Sequence, residues 1–201
     1  MVIELLFQNP ILFFLIAAAL VLSISVHEFS HALAANALGD STAKDMGRLT
    51  LNPKAHLDPI GTLFLLFIGF GWGRPVPFNP GNLKNIKRDS AIISLAGPLS
   101  NFIMAVVFAL IIRLVPGREI LGLFLYMAIL YNLMLGFFNL IPLGPLDGNK
   151  IVYGFLPNTF AVQWVEIQRY GTYLLLFLIL FNFTEKILLP LVGISMNILG
   201  L

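Results

Sequence analysis

Residues 10–40 read PILFFLIAAALVLSISVHEFSHALAANALGD, and this stretch decides the fold class. From Ile11 to Val26 the only polar side chains are Ser23 and Ser25. Pro10 suits the first turn of a helix, and Gly39-Asp40 stop one, so a helix is expected from Pro10 to about Leu38. At 1.5 Å per residue it is about 43 Å long and exceeds the roughly 30 Å hydrocarbon core of a bilayer. Its second half holds His27-Glu28-Phe29-Ser30-His31, an H-E-x-x-H pattern. Helical positions four apart share a face, so His27 and His31 can reach one metal ion. Glu28 falls about 100° round the helix, beside the ion, where a general base is needed. The pattern is short and recurs by chance in amphipathic helices. Here it has no solvated face to sit on. A carboxylic acid at the centre of a membrane helix costs roughly 2.5–3.5 kcal/mol, which marks it as functional.

Composition agrees with the bilayer reading. Of 201 residues, 58% are hydrophobic and 11% charged, against about 25% charged in soluble domains. The length suits one membrane-embedded domain over 1–201, with a catalytic core at about 10–150 and C-terminal helices at about 170–199. Glu4 and the absence of a basic n-region argue against a cleavable signal peptide. With no cysteine, disulfides and thiolate metal sites are excluded. A net charge of +2 and no basic, aromatic-interleaved patch exclude a nucleic-acid footprint.

The fold class is therefore an all-α polytopic membrane protein with about five transmembrane helices. Gly61–Trp72 is too short to span and reads as a re-entrant or interfacial segment. Small β-strand elements are expected between helices one and two, where Gly47–Leu51 alternates and Arg74–Pro80 is held extended by its prolines. Helix two covers about Asp89–Leu114, with Asp89 as N-cap, and helix three about Ile120–Ile141. A soluble-looking connector, Asn149–Arg169, leads to two short helices, Tyr170–Phe183 and Lys186–Leu199. Lys44, Arg48, Lys54, Arg74, Lys84, Lys87, Arg88, Lys150 and Arg169 fall on one side, against Arg113, Arg118 and Lys186 on the other. The positive-inside rule makes the first side cytosolic. His27–His31, Asn101 and Asp147 then lie toward that leaflet of the cell membrane.

A catalytic zinc site takes three protein ligands and one open position. With three histidines in the chain, the third ligand is His56 or a carboxylate. Asp147 is best placed, after a long apolar helix in the break Pro142-Leu143-Gly144-Pro145-Leu146-Asp147-Gly148. Its competing reading is a turn aspartate before Gly148. His56 and Asp58, in a polar interfacial stretch, fit surface or supporting roles. Gly97-Pro98 reads as a packing kink, whereas Asn101 is a buried amide that needs partners.

Three motifs in order, H-E-F-S-H at 27–31, G-P-L-S-N at 97–101 and N-L-I-P-L-G-P-L-D-G at 139–148, resemble the site-2 protease family of intramembrane zinc metalloproteases. The segments G-R-L-T-L-N-P-K-A-H-L-D-P-I-G-T and G-W-G-R-P-V-P-F-N are similar to its small bacterial and archaeal members. The resemblance covers most of residues 20–150. It implies one zinc ion held by His27, His31 and Asp147, with Glu28 as general base and Asn101 positioning the scissile peptide or its oxyanion. It implies a transmembrane protein substrate cut in the bilayer, as in regulated intramembrane proteolysis. No PDZ or CBS regulatory domain and no extra helix before the metal motif is evident. Substrate selection is then expected from the membrane core, a regulatory partner or a homo-oligomer. An unwound substrate can add to a strand edge, for which Gly47–Leu51 and Val76–Asn79 are the candidates. Two other classes compete. A membrane metal transporter would spread its ligands along a route or repeat them in two halves, and needs no Glu28. A non-catalytic binding scaffold has no use for an intact His27, Glu28, His31 and Asp147.

Overall fold

The computed structural model describes residues 2–68, 71–117 and 119–201. Residues 69–70 of the expected 61–72 segment and Arg118 of the charge argument lie outside the described residues.

A short helix α1 (Val2–Gln8) leads into α2 (Pro10–Ala37), whose first turn is capped by Asn9, its side chain accepting from Leu12 N–H at 3.1 Å. Gly39 ends α2 with φ +104°, and Asp40 N–H returns to Ala35 O at 2.9 Å. After a single turn, α3 (Thr42–Asp45), the chain runs through an irregular segment to α4 (Pro59–Ile68). Ten residues give α4 a length of about 15 Å, too short to cross.

The expected β-strands are absent among the described residues; one antiparallel bridge, Leu57 with Gly73, stands alone. The reason is local. Groups that would form a ladder bond side chains instead: Val76 N–H to Glu28, Asn79 N–H to Asp40, Arg74 and Pro75 carbonyls to Arg48, and Thr50 O to His56. Pro75 and Pro77 have no N–H to give.

Helix α5 (Ile86–Leu114) begins three residues before the expected start. Its N-cap is Asn85, which accepts from Arg88 N–H at 3.0 Å, while Asp89 reaches back to Asn85 N–H at 2.8 Å. Asp89 is thus the reciprocal partner of the cap rather than the cap. Next come α6 (Glu119–Asn139), α7 (Asp147–Phe155) and α8 (Asn158–Gln168), so the expected connector is mostly helical. The chain closes with α9 (Gly171–Leu180) and α10 (Phe183–Ile198), bent by 77° at Asn182, the one non-glycine residue with positive φ among those described.

Among the described residues three helices, α2, α5 and α6, are long and apolar enough to cross a membrane, and the α9–α10 pair makes four if taken as one broken span. The expected five are not reached, because α9 and α10 are each too short to cross alone. At the far end of α5, Arg113 donates to Leu199 O at 2.5 Å, just past α10, while Gly171 at the start of α9 packs on Gly144 near Asp147. The pair therefore runs from the level of Asp147 to the far end of α5.

The core lies where α2, α5, α6 and α10 meet, around Ala19, Ala105, Ala128, Ile129, Leu133, Val192 and Met196. Fully buried alanines let the backbones approach, as in membrane bundles. Outward, Ile11, Phe14, Leu99, Ile103 and Leu110 expose apolar faces that suit lipid.

Candidate metal centre

One face of α2 presents both histidines. Their rings stand nearly perpendicular at 86°, with the Nε2 atoms 3.0 Å apart. Asp147, the first residue of α7, brings Oδ2 to 3.2 Å from His27 Nε2 and 3.1 Å from His31 Nε2. Tetrahedral zinc with bonds of about 2.0–2.1 Å separates its ligands by about 3.3 Å, so this triangle is of zinc-site size.

The donor set also suits a cation. His31 Nδ1 lies 2.7 Å from Ile93 O, which can only accept, so the ring proton belongs on Nδ1. His27 Nδ1 is 2.6 Å from Asn101 Oδ1. In neutral imidazoles both Nε2 atoms then present lone pairs to each other and to Asp147 Oδ2, a buried oxygen without a hydrogen-bond partner. Three electron-rich atoms in contact form a donor set that suits a cation between them. Room for it comes from Gly97, where a Cβ would sit 2.4 Å from His31 Nε2 and 2.7 Å from His27 Cε1. Two imidazoles and a carboxylate suit zinc.

Backbone geometry carries Asp147 into place. A Cβ on Gly148 would lie 2.3 Å from Leu140 O, so only glycine lets the turn fold back on the end of α6. The loop is clamped from α8: Gln168 accepts Gly144 N–H at 2.9 Å and donates to Pro142 O at 3.1 Å. Trp164 Nε1 donates to Asn149 Oδ1 at 2.8 Å, and Asn149 Nδ2 donates to Gly144 O at 2.9 Å.

Comparison with known proteins supplies the relationship. The family model described as peptidase family M50 matches residues 116–182, which include Asp147. A protein of Bacillus subtilis, YwhC, provisionally named a zinc metalloprotease, is 41% identical over 171 residues, covering 81% of this chain and 77% of that protein. The chain belongs to peptidase family M50. Rip2 of Mycobacterium tuberculosis, also provisionally named a zinc metalloprotease, is 31% identical over 68% of this chain and 55% of its own length. A zinc metalloprotease of Methanocaldococcus jannaschii is 30% identical over 76% of this chain but 39% of its own length. No solved structure matches the chain significantly.

In this M50 chain Glu28 is half-buried beside the group, its Oε2 accepting Val76 N–H at 3.0 Å. Buried Arg48 pins the same strap by donating to Arg74 O and, at 3.4 Å, to Pro75 O. Two candidates lie elsewhere. His56 is fully buried with Nε2 2.6 Å from Thr50 O, outside the metal group, and Asp58 caps α4 by accepting Gly61 N–H at 2.7 Å. Asn101 is fully buried and donates both amide hydrogens, to Asn132 Oδ1 at 2.8 Å and Ser23 O at 3.2 Å. In this structure both N–H groups are engaged within the bundle, and the amide oxygen faces His27. Sequence reasoning misses Asn132, Gln168 and Trp164, and it offers Val76 as a substrate edge where the structure has its N–H on Glu28. Asn132 alone carries a signal, an amide inside an apolar helix. Gln168 grips backbone groups and Trp164 the Asn149 side chain, contacts across the loop that no residue pattern announces.

Proposed function

We propose that the chain is an intramembrane zinc metalloprotease of the site-2 type, a single membrane-embedded domain that hydrolyses peptide bonds within or near transmembrane segments. The observation that carries the reading is the convergence of Asp147 on His27 and His31, which share with Glu28 a helix of membrane-spanning length. His27, His31 and Asp147 hold one zinc ion. When bound, zinc acidifies water and polarises a carbonyl. Glu28 takes the water proton on its carboxylate and returns it to the leaving amine; the Val76 hydrogen bond on Oε2 fixes the orientation of Oε1. The substrate is a transmembrane protein in the bilayer of the cell membrane, and it must unwind locally to expose its peptide bond. The basic side, where the polar strap of residues 39–85 gathers, is the cytosolic side and admits water. A homo-oligomer or a regulatory partner would supply selection outside this domain.

The test uses full-length protein in liposomes with a panel of single-span peptides. Glu28→Gln should retain zinc and lose cleavage by about 10²–10⁴-fold. Cleavage at the wild-type rate by a zinc-loaded Glu28→Gln protein refutes the assignment of Glu28 as base.

A further inference from the structure

Midway along the apolar helix α6 sits one fully buried amide, Asn132, which the catalytic scheme above does not use. Its hydrogen bonds run in a single direction. Ala128 O, a backbone carbonyl and so only an acceptor, receives an N–H from Asn132 Nδ2 at 2.7 Å. That turns Asn132 Oδ1 toward α5, where it accepts from Asn101 Nδ2 at 2.8 Å. The second Asn101 hydrogen goes to Ser23 O at 3.2 Å, again only an acceptor. Asn101 Oδ1 is left facing His27 Nδ1 at 2.6 Å, where it must accept. His27 then holds its proton on Nδ1 and presents Nε2 as a lone pair.

We propose that Asn132 is a positioning residue of the metal centre: acting through Asn101, it selects the Nδ1–H tautomer of His27, so that Nε2 is a ligand before any ion arrives. The value of this to the protein rests on the reading of His27 as a zinc ligand. With the Asn101 amide reversed, an N–H would face His27 Nδ1, and the ring proton would move to Nε2, into the space of the ion. A purely structural role, an interhelical hydrogen bond joining α5 and α6, would be indifferent to which nitrogen of His27 is protonated. His31 is a built-in control. Its Nδ1 is fixed by Ile93 O, a backbone carbonyl that does not involve Asn132.

The experiment labels the imidazole nitrogens of the full chain and reads the tautomers of His27 and His31 by NMR. The protein is metal-free, in lipid nanodiscs, at a pH where both rings are neutral; zinc affinity is measured beside it by chelator competition. Both histidines should be Nδ1–H in the wild type. In Asn132→Ala, His27 should shift toward Nε2–H while His31 stays, and zinc affinity should fall about 10–100-fold. Asn132→Asp, which keeps an oxygen for Asn101, should retain the His27 tautomer. Asn101→Asp presents an acceptor to His27 whichever way it turns, so adding Asn132→Ala to it should leave the His27 tautomer unchanged.

An unchanged His27 in Asn132→Ala overturns the proposal. So does an equal tautomer shift of His27 when Asn132→Ala is made in the wild type and in the Asn101→Asp variant. Disturbance of both histidines in every Asn132 variant also overturns it and assigns Asn132 to helix packing. A wild type with His27 as Nδ1–H that binds no zinc sinks the metalloprotease reading while leaving the tautomer relay intact.

Discussion

At the residue scale, the centre depends as much on an absent side chain as on those present. Gly97 lies on α5 directly against both imidazoles, and a Cβ there would come 2.4 Å from His31 Nε2. Alanine is a better helix former than glycine by about 1 kcal/mol, but its Cβ must push both buried rings at an overpacking cost of about 1–3 kcal/mol. Gly97→Ala should therefore leave the metal-free bundle folded and at most about 2 kcal/mol less stable. It should nevertheless weaken zinc binding about tenfold or more by displacing the rings. Calorimetry of the metal-free protein beside chelator competition separates the two effects; unchanged zinc affinity would remove Gly97 from the site. His27 and His31 are legible in the sequence because i, i+4 spacing is a property of the helix alone. The partners of Asn101 are not, since they lie on α2 and α6 and depend on how three helices rotate against one another.

At the element scale, helix boundaries are readable where one residue type dictates them. Asn9-Pro10 and Gly39 bracket α2 within a residue of expectation, because a capped Pro start and a positive-φ glycine act locally. The segment between α2 and α5 departs from the expected strands because alternation predicts a ladder only where a partner strand exists. Here the backbone groups go to Glu28, Asp40, Arg48 and His56. The second half of the soluble-looking connector is helix α8, and its Gln168 grips Pro142 O and Gly144 N–H, five and three residues before Asp147. Gly171 makes this possible: a Cβ there would lie 2.5 Å from both Gln168 Oε1 and Gly144 N. Gln168→Ala should loosen the loop and lower zinc affinity about 10-fold with little change in helix content. Affinity equal to wild type would make α8 a bystander.

At the scale of the whole molecule, the candidate metal group sits within a bundle of helices long and apolar enough to cross a membrane. His27 lies ten residues from the end of α2, a depth of about 15 Å along the helix. The polar segments of residues 39–85 pack at that same end, with Val76 N–H on Glu28 and Asn79 N–H on Asp40. Taken as one broken span, α9 and α10 end beside Arg113 on the side opposite Asp147. Since the chain has no cysteine, single cysteines report sidedness cleanly. Met46→Cys should label from the cytosolic side, and Gly117→Cys and Leu201→Cys from the other; labelling of Leu201→Cys with Met46→Cys would contradict the broken span.

The central claim, that two histidines of α2 and an aspartate more than a hundred residues later form one zinc site, is tested most directly by metal content. Detergent-purified wild-type protein should carry about one zinc per chain. Asp147→Ala should lose it, and His56→Ala, whose imidazole is buried against Thr50 O outside the group, should keep it. Zinc retained by Asp147→Ala and lost from His56→Ala would contradict the account.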